Sequence, residues 1–266
     1  LSILLAAFCI CSYSLRAHED SRAASRSIEF IANEGQWDAP FVYKAITGGA
    51  DIFLGKKGFT YVVGAAGNGD KKMAVKHGRQ NDAVLNFHAY RVHFEGAQDA
   101  VISGDKAQAH YYNYFLGNDR KRWKSGIHPF QVVEYKNIYR NIDIRVASEA
   151  GNIKYDFIVH PGADASQIRL RFEGAEGLSI RNNALRVNTS VGEVVERKPY
   201  AYQLINGEKT EVRCVYKVKG DEVTYAFPQG YNKTQLLVID PVVEFATFTG
   251  AVSDNWGNSA TYDHQG

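Results

Sequence analysis

The chain has 266 residues, of which 45% are hydrophobic and 23% charged, a composition that supports a packed core and argues against global disorder. Its 31 basic and 29 acidic residues leave a net charge of +2, too small to predict a phosphate-binding face, so we expect no nucleic-acid partner. Sixteen tyrosines and fourteen phenylalanines against one methionine favour strands over helices, because aromatic side chains suit a half-covered pleated surface.

Residues 1–17 form an apolar run that predicts an export signal peptide with a truncated start. The run has the length of a signal-peptide core and is too short for a comfortable membrane span, so no span is expected in the mature chain. The polar residues 18–27 would then be a linker. The alternative is that the apolar run is a buried element of the mature domain. Removal of the signal leaves Cys214 alone, and its alternation with apolar neighbours predicts a core residue, not a nucleophile or ligand.

The first part of the mature chain contains a predicted hairpin and a strand that recurs later. The tetrapeptide GKKG, residues 55–58, separates two apolar runs as a hairpin turn does, and its glycines tolerate positive φ. A polar, glycine-rich stretch then predicts an exposed loop. Residues 90–97, YRVHFEGA, are similar to residues 168–175, IRLRFEGA. Either a duplicated β-unit or chance explains this echo. A duplication predicts two stacked lobes with a boundary near residue 125.

The second half predicts antiparallel strands joined by short turns. Apolar residues alternate with polar ones over residues 142–146 and 153–159, and the polar link between them predicts a hairpin that the strand IRLRF extends. Further turns are predicted at Asn182-Asn183, Asn206-Gly207 and Gly220-Asp221, with one strand, EVRCVYKV, between the last two. No segment has a sustained helical stripe. The prediction for residues 28–245 is therefore an all-β, antiparallel, β-sandwich-like domain.

Several ordered blocks carry a family resemblance. NYFLGNDRKRW, YKNIYRNIDI, YDFIVHPGADASQIRLRFEGA and LVIDPVVEFATFTG resemble the uncharacterised domain found near the amino terminus of exported bacterial proteins with SBBP, or β-propeller-related, repeats. The resemblance covers about residues 28–249, and residues 246–266 resemble the beginning of a first repeat. It implies a protein that is secreted or held on the outer surface of a bacterium, whose relatives often end in gliding-motility-associated sorting domains. The family brings no established catalytic residues.

The sequence contains no HExxH, GxSxG, P-loop or CxxC motif, so no catalytic residue, metal or cofactor is predicted. One segment, GNDRKRWKSG, concentrates cations around an aromatic residue. The candidate ligand-binding residues there are Arg120, Arg122, Trp123 and Lys124. Such a cluster predicts binding of a glycan, an anionic polymer or another protein chain. The alternative is a solvated loop with one anchoring tryptophan.

Two functions remain for the whole chain. The first is a non-enzymatic exported or cell-surface module that scaffolds or caps a following β-propeller and contributes to adhesion or surface assembly. Its partners would be downstream repeats of the same chain, surface polysaccharide or other surface proteins. The alternative is a carbohydrate-active hydrolase or a glycan-binding accessory domain, with Glu193, Glu196 or Asp240 across a sandwich groove. Glu193 and Glu196 make a poor pair, because residues three apart on a strand point to opposite faces.

Overall fold

The structure is a computed structural model that describes residues 28–47, 50–65, 86–149 and 151–244. The predicted signal peptide, the linker and the repeat start at residues 246–266 lie outside the described residues, as does most of the predicted glycine-rich loop.

Strands make up nearly all of the regular structure, and the described residues contain no α-helix. The strands are β1 (Phe30–Ala32), β2 (Tyr43–Ile46), β3 (Ala50–Gly55), β4 (Gly58–Gly64), β5 (Phe87–Phe94), β6 (Val101–Ala107), β7 (Tyr112–Tyr114), β8 (Lys124–Ile127), β9 (Phe130–Tyr139), β10 (Ile142–Glu149), β11 (Asn152–Val159), β12 (Arg169–Glu173), β13 (Gly177–Arg181), β14 (Ala184–Thr189), β15 (Gly192–Glu196), β16 (Tyr200–Ile205), β17 (Glu208–Val212), β18 (Val215–Lys219), β19 (Glu222–Ala226), β20 (Leu237–Asp240) and β21 (Val242–Glu244). Two 3₁₀-helices, Arg120–Arg122 and Ala165–Gln167, follow β7 and β11.

All strands except β7 and β8 belong to one antiparallel sheet. From one edge the order is β18, β19, β12, β5, β4, β3, β2, β1, β9, β10 and β11. Beyond β11 the sheet forks: β20 leads to β16 and β17, while β21 leads to β15, β14 and β13. β6 pairs along one edge of β9, and β10 shares the other edge with β1, which pairs with β9 through Phe30 and Phe130.

The sheet rolls until its two halves face each other across one core. Phe59 of β4 meets Tyr155 of β11 at 6.0 Å between ring centroids, and Phe94 of β5 meets Phe157 of β11 at 6.4 Å. These rings are buried and belong to a single hydrophobic cluster. The result is a flattened, nearly closed barrel with a sandwich-like core, which confirms the predicted all-β antiparallel class.

The two echoing strands are direct neighbours in this sheet. β5 pairs with β12, and His93 lies opposite Arg171, the equivalent position of the echo. Strands from either side of residue 125 pair in this way, and their side chains share the core. A duplication, with the lobe boundary that it implies, stays a prediction.

The hairpin predicted at the centre of the chain is confirmed. β10 and β11 pair antiparallel along their whole length, and Ile144, Tyr155 and Phe157 are buried. The prediction that the strand IRLRF extends this hairpin is wrong, because β12 pairs with β5 and β19. Strands β20 and β21 occupy the free edge of β11 instead. The second 3₁₀-helix, capped by the Asp164 side chain, connects β11 to β12 in the facing layer.

The predicted asparagine turns are confirmed. Asn182 and Asn183 have φ values of 53° and 61°, and Asn206 and Gly207 have φ values of 53° and 85°. Two-residue hairpin turns of type I′ need positive φ at both central positions, which Asn and Gly tolerate best. Local turn chemistry therefore sets the register of β13 with β14 and of β16 with β17.

The prediction of one continuous strand over EVRCVYKV, residues 211–218, is wrong. The segment belongs to β17 and β18, which pair with β16 and β19 respectively and are separated by residues 213–214. Cys214 sits at this break and is 1% exposed. Burial raises the pKa of its thiol to about 12, so the thiol stays protonated and the predicted core role is confirmed.

Candidate functional site

Two strands and a short helix form an arm that stands apart from the main sheet. β7 and β8 pair as a two-stranded sheet of their own, with the helix Arg120–Arg122 between them. The Asp119 carboxylate accepts a hydrogen bond from the backbone N–H of Lys121 at 3.0 Å and so caps this helix. We call residues 110–128 the aromatic–basic arm.

Trp123 is the structural centre of the arm. Its indole N–H donates to the Gly117 carbonyl at 3.0 Å, and its ring meets the Phe115 ring edge-on at 5.7 Å between centroids. The Arg120 guanidinium lies over the indole, 5.3 Å from the ring centroid, within the range of a cation–π interaction. One point on the arm thus presents a cation and two aromatic rings.

The two faces of β7 differ in exposure. The Tyr112 hydroxyl donates to the Glu29 carboxylate at 2.8 Å, and burial raises the pKa of Tyr114 to about 12. Tyr111 and Phe115 are 59% and 44% exposed. Tyr112 and Tyr114 anchor the arm to the domain, although Tyr112 is itself 37% exposed, and Tyr111 and Phe115, which flank β7, present more of their rings to solvent.

The interior holds a separate polar cluster around Glu196 of β15. Glu196 is 3% exposed, and its carboxyl accepts hydrogen bonds from the hydroxyls of Tyr155 at 2.8 Å and Tyr216 at 3.3 Å. Burial raises the pKa of Glu196 to about 7, although the two hydroxyls favour the ionised form. Ionisation of this enclosed carboxyl therefore affects the stability of the fold.

The family model described as a domain of unknown function, DUF7948, matches residues 30–242. The chain belongs to the DUF7948 family. No curated protein and no solved structure matches the chain. The predicted resemblance to an uncharacterised domain is confirmed at this level. For this DUF7948 domain, the SBBP repeats and the association with gliding motility stay predictions.

All four predicted ligand-binding residues of the DUF7948 domain lie in the aromatic–basic arm. The structure brings Arg120 and Trp123 together, and Arg120 is exposed. Arg122 and Lys124 are half-buried, and the Arg122 Nε is buried without a hydrogen-bond partner. Trp123 is itself half-buried and hydrogen-bonded, as an anchoring tryptophan would be. Ligand binding by these residues stays a prediction.

Sequence reasoning missed the exposed aromatic residues Tyr111 and Phe115. The signal was present in YYNYF, residues 111–115, because the period of two separates these side chains from Tyr112 and Tyr114. What the sequence could not show is which face of this short strand would be covered. The contact of Tyr112 with Glu29, 83 positions away, decides that.

The three carboxylates of the hydrolase hypothesis lie in different surroundings. Glu193 pairs with Arg186 at 2.7 Å, and Asp240 pairs with Lys154 at 2.8 Å. Glu196 points into the core from the same strand as Glu193, as the alternation predicts. The two glutamates therefore do not face each other across a groove.

Among the residues that the structure describes, no group of three or more His, Cys, Asp or Glu side chains is placed to hold a metal ion. In the same part of the chain, no helix is long and apolar enough to cross a membrane.

Proposed function

We propose that this DUF7948 domain is an exported bacterial surface module that binds acidic polysaccharide through the aromatic–basic arm. It would also scaffold or cap β-propeller-related repeats that follow it, in adhesion or surface assembly. The observation that carries the binding proposal is the contact of Arg120 with Trp123 beside the exposed ring of Phe115. The sequence blocks that resemble exported SBBP-repeat proteins support export and the following repeats.

The chemistry of an acidic sugar polymer matches both parts of this contact. Sugar rings have apolar C–H faces that stack on aromatic rings, and exposed rings such as Phe115 offer such a surface. A guanidinium pairs with a carboxylate or sulfate through a planar fork of donors. The arm carries four cations, Arg120, Lys121, Arg122 and Lys124, against one acid, Asp119, so it keeps an excess of positive charge.

Arg120→Gln and Phe115→Ala should each weaken binding of polygalacturonate about two- to fivefold. An exposed ion pair or an exposed stacking contact contributes about 0.5–1 kcal/mol, which corresponds to that change in affinity. Isothermal titration calorimetry on the full chain measures the affinity. The wild-type affinity should fall as salt is raised, because exposed ion pairs are screened.

Lys209→Gln and Tyr200→Ala are matched controls for these variants. Lys209 lies over the Tyr202 ring at 4.3 Å, a second cation–π contact, and Tyr200 is 42% exposed. Both controls should leave the affinity for polygalacturonate unchanged. Equal weakening by the controls, or equal binding of polygalacturonate and neutral dextran by the wild type, would contradict the proposal.

The scaffolding part of the proposal needs a separate test in the full-length protein. Removing residues 28–244 should make the following repeats more sensitive to protease and reduce their display on the cell surface. Repeats that fold and reach the surface unchanged after this deletion would count against a scaffolding role.

A further inference from the structure

A histidine and a serine that are 102 positions apart meet on the surface of the domain. His88 lies at the start of β5, and Ser190 lies in the two-residue turn between β14 and β15. The Ser190 hydroxyl is 2.9 Å from His88 Nδ1, and the Ser190 backbone N–H donates to the same nitrogen at 3.2 Å. His88 pairs with Val63 of β4, and Ser190 follows Thr189, which pairs with Gly192 of β15, so the contact joins two separate strand pairs.

The other side of the imidazole ring decides the tautomer of His88. Nε2 lies 2.7 Å from the Gly174 carbonyl oxygen, which can only accept, so Nε2 carries the proton. Nδ1 is then the lone-pair nitrogen, and its one lone pair is shared between the Ser190 hydroxyl, at the shorter distance, and the Ser190 backbone N–H. Gly174 has a φ of 86°, and an added Cβ would lie 3.1 Å from the Ala89 carbonyl oxygen, so this position favours glycine.

Ser190 opens onto a shallow depression in the surface, which His88 does not line. The depression has a volume of about 540 Å³, and Ala65, Asn86, Phe87, Ser190 and Val191 line it. Ser190 is exposed, and Phe87 is 49% exposed beside it. A small acyl group can therefore reach the Ser190 oxygen.

We propose that Ser190 is a nucleophile and His88 its general base in the hydrolysis of small carboxylic esters, such as the O-acyl group of an alcohol or sugar. A nucleophile within hydrogen-bond reach of a base, with the base oriented by a third group, is the arrangement that activates serine. Here the third group is the Gly174 carbonyl. Such sites are recognised by geometry and not by sequence position, and the surrounding VNTSVG contains no GxSxG motif.

The reaction proceeds in two balanced steps. The Ser190 oxygen attacks the ester carbonyl carbon as its proton passes to His88 Nδ1, and the alcohol then leaves with that proton. A water molecule gives a proton to Nδ1 and attacks the acyl-serine carbon, and the carboxylic acid departs as Ser190 regains its proton. The Gly174 carbonyl accepts from Nε2 throughout and stabilises the protonated ring.

This inference does not rest on the proposed function, because the site shares no residue with the aromatic–basic arm. The test is labelling of the full chain with an alkyl fluorophosphonate, which phosphonylates activated serines, followed by peptide mass spectrometry. We expect the label at Ser190, lost in Ser190→Ala and formed at least tenfold more slowly in His88→Gln. Hydrolysis of p-nitrophenyl acetate should fall at least tenfold in both variants.

Ser125→Ala, at an exposed serine of β8, is the matched control and should label and hydrolyse like the wild type. Mass spectrometry of the wild-type chain locates the label without any variant, so a variant that fails to fold leaves the test intact. Labelling that omits Ser190, or ester hydrolysis unchanged in a folded Ser190→Ala variant, would overturn the proposal. The pair would then be a structural clamp between β5 and the turn after β14.

Discussion

Glu196→Gln should raise the free energy of unfolding at pH 8 by about 3 kcal/mol and flatten its dependence on pH. The Glu196 carboxyl is 3% exposed, and burial raises its pKa from 4.5 to about 7. A shift of one pKa unit corresponds to about 1.4 kcal/mol, so ionisation inside the folded domain costs about 3 kcal/mol of stability. Glutamine carries no charge and keeps an oxygen that accepts from the Tyr155 and Tyr216 hydroxyls.

The sign of the pH dependence follows from the direction of the shift. In the unfolded chain Glu196 loses its proton near pH 4.5, and in the folded domain it keeps the proton up to about pH 7. Between these values the folded state binds more protons, so stability falls as pH rises. The wild type should be most stable with respect to this group below about pH 4.5 and should have lost the whole contribution above about pH 8.

Urea unfolding of both proteins between pH 4.5 and pH 8.5 measures the effect. Burial also raises the pKa of Asp156 to about 6, which adds a loss of stability in the same direction to both proteins and cancels in their difference. Glu193→Gln is the control on the same strand, where it removes the ion pair with Arg186. It should change stability by less than about 1 kcal/mol. A Glu196→Gln variant less stable than the wild type at pH 8 would falsify this account of the cluster.

Gly58→Ala should lower the free energy of unfolding by about 3 kcal/mol, because extra volume in a well-packed region forces the backbone to move. Gly58 begins β4 directly opposite His93 of β5. A Cβ at this position would lie 2.3 Å from the Val92 carbonyl oxygen and 3.2 Å from the His93 Cα. Neither neighbour is the end of a flexible side chain, so the two strands must separate.

Gly177→Ala is the matched control for this prediction. Gly177 also begins a strand, β13, but the nearest atom to an added Cβ is the Asn188 Nδ2 at 3.6 Å, an ordinary contact. We expect this variant to be as stable as the wild type or up to about 1 kcal/mol more stable, since alanine restricts the unfolded chain. Thermal unfolding of the two variants side by side decides the matter. Equal stability of Gly58→Ala and Gly177→Ala would show that β4 and β5 can move apart without loss.

The GKKG turn shows how far sequence reasoning reached at one hairpin. Two apolar runs around GKKG predicted a turn, and β3 and β4 pair with Gly55 opposite Gly58. The predicted reason for the glycines was positive φ in the turn. At Gly58 the stronger requirement is the close approach of Val92 from β5, which is not part of the hairpin. The turn is local information, whereas the identity of the strand beside it is not.

The candidate sites also contain some features that the local sequence predicts and others that only distant contacts determine. The cations and the tryptophan of the aromatic–basic arm stand together in the sequence, so their spacing alone is enough to associate Arg120 with Trp123. The exposed faces of Tyr111 and Phe115 depended on what covers the opposite face of β7. His88 and Ser190 carry no motif at all; their strands are not neighbours in the sheet, and only the folding of the whole sheet brings the two side chains within 2.9 Å.

The sequence by itself determined the all-β class, the central hairpin and the asparagine turns, because alternation and turn chemistry act over a few neighbouring residues. It also placed Glu193 and Glu196 on opposite faces of one strand. Only the tertiary structure decided that β12 pairs with β5 and β19 instead of with the central hairpin. It also decided that Glu196 meets Tyr155, 41 positions earlier, inside the core. The reason is physical: which strand becomes a neighbour depends on how the whole sheet rolls to bury its apolar face, and no local pattern contains that choice.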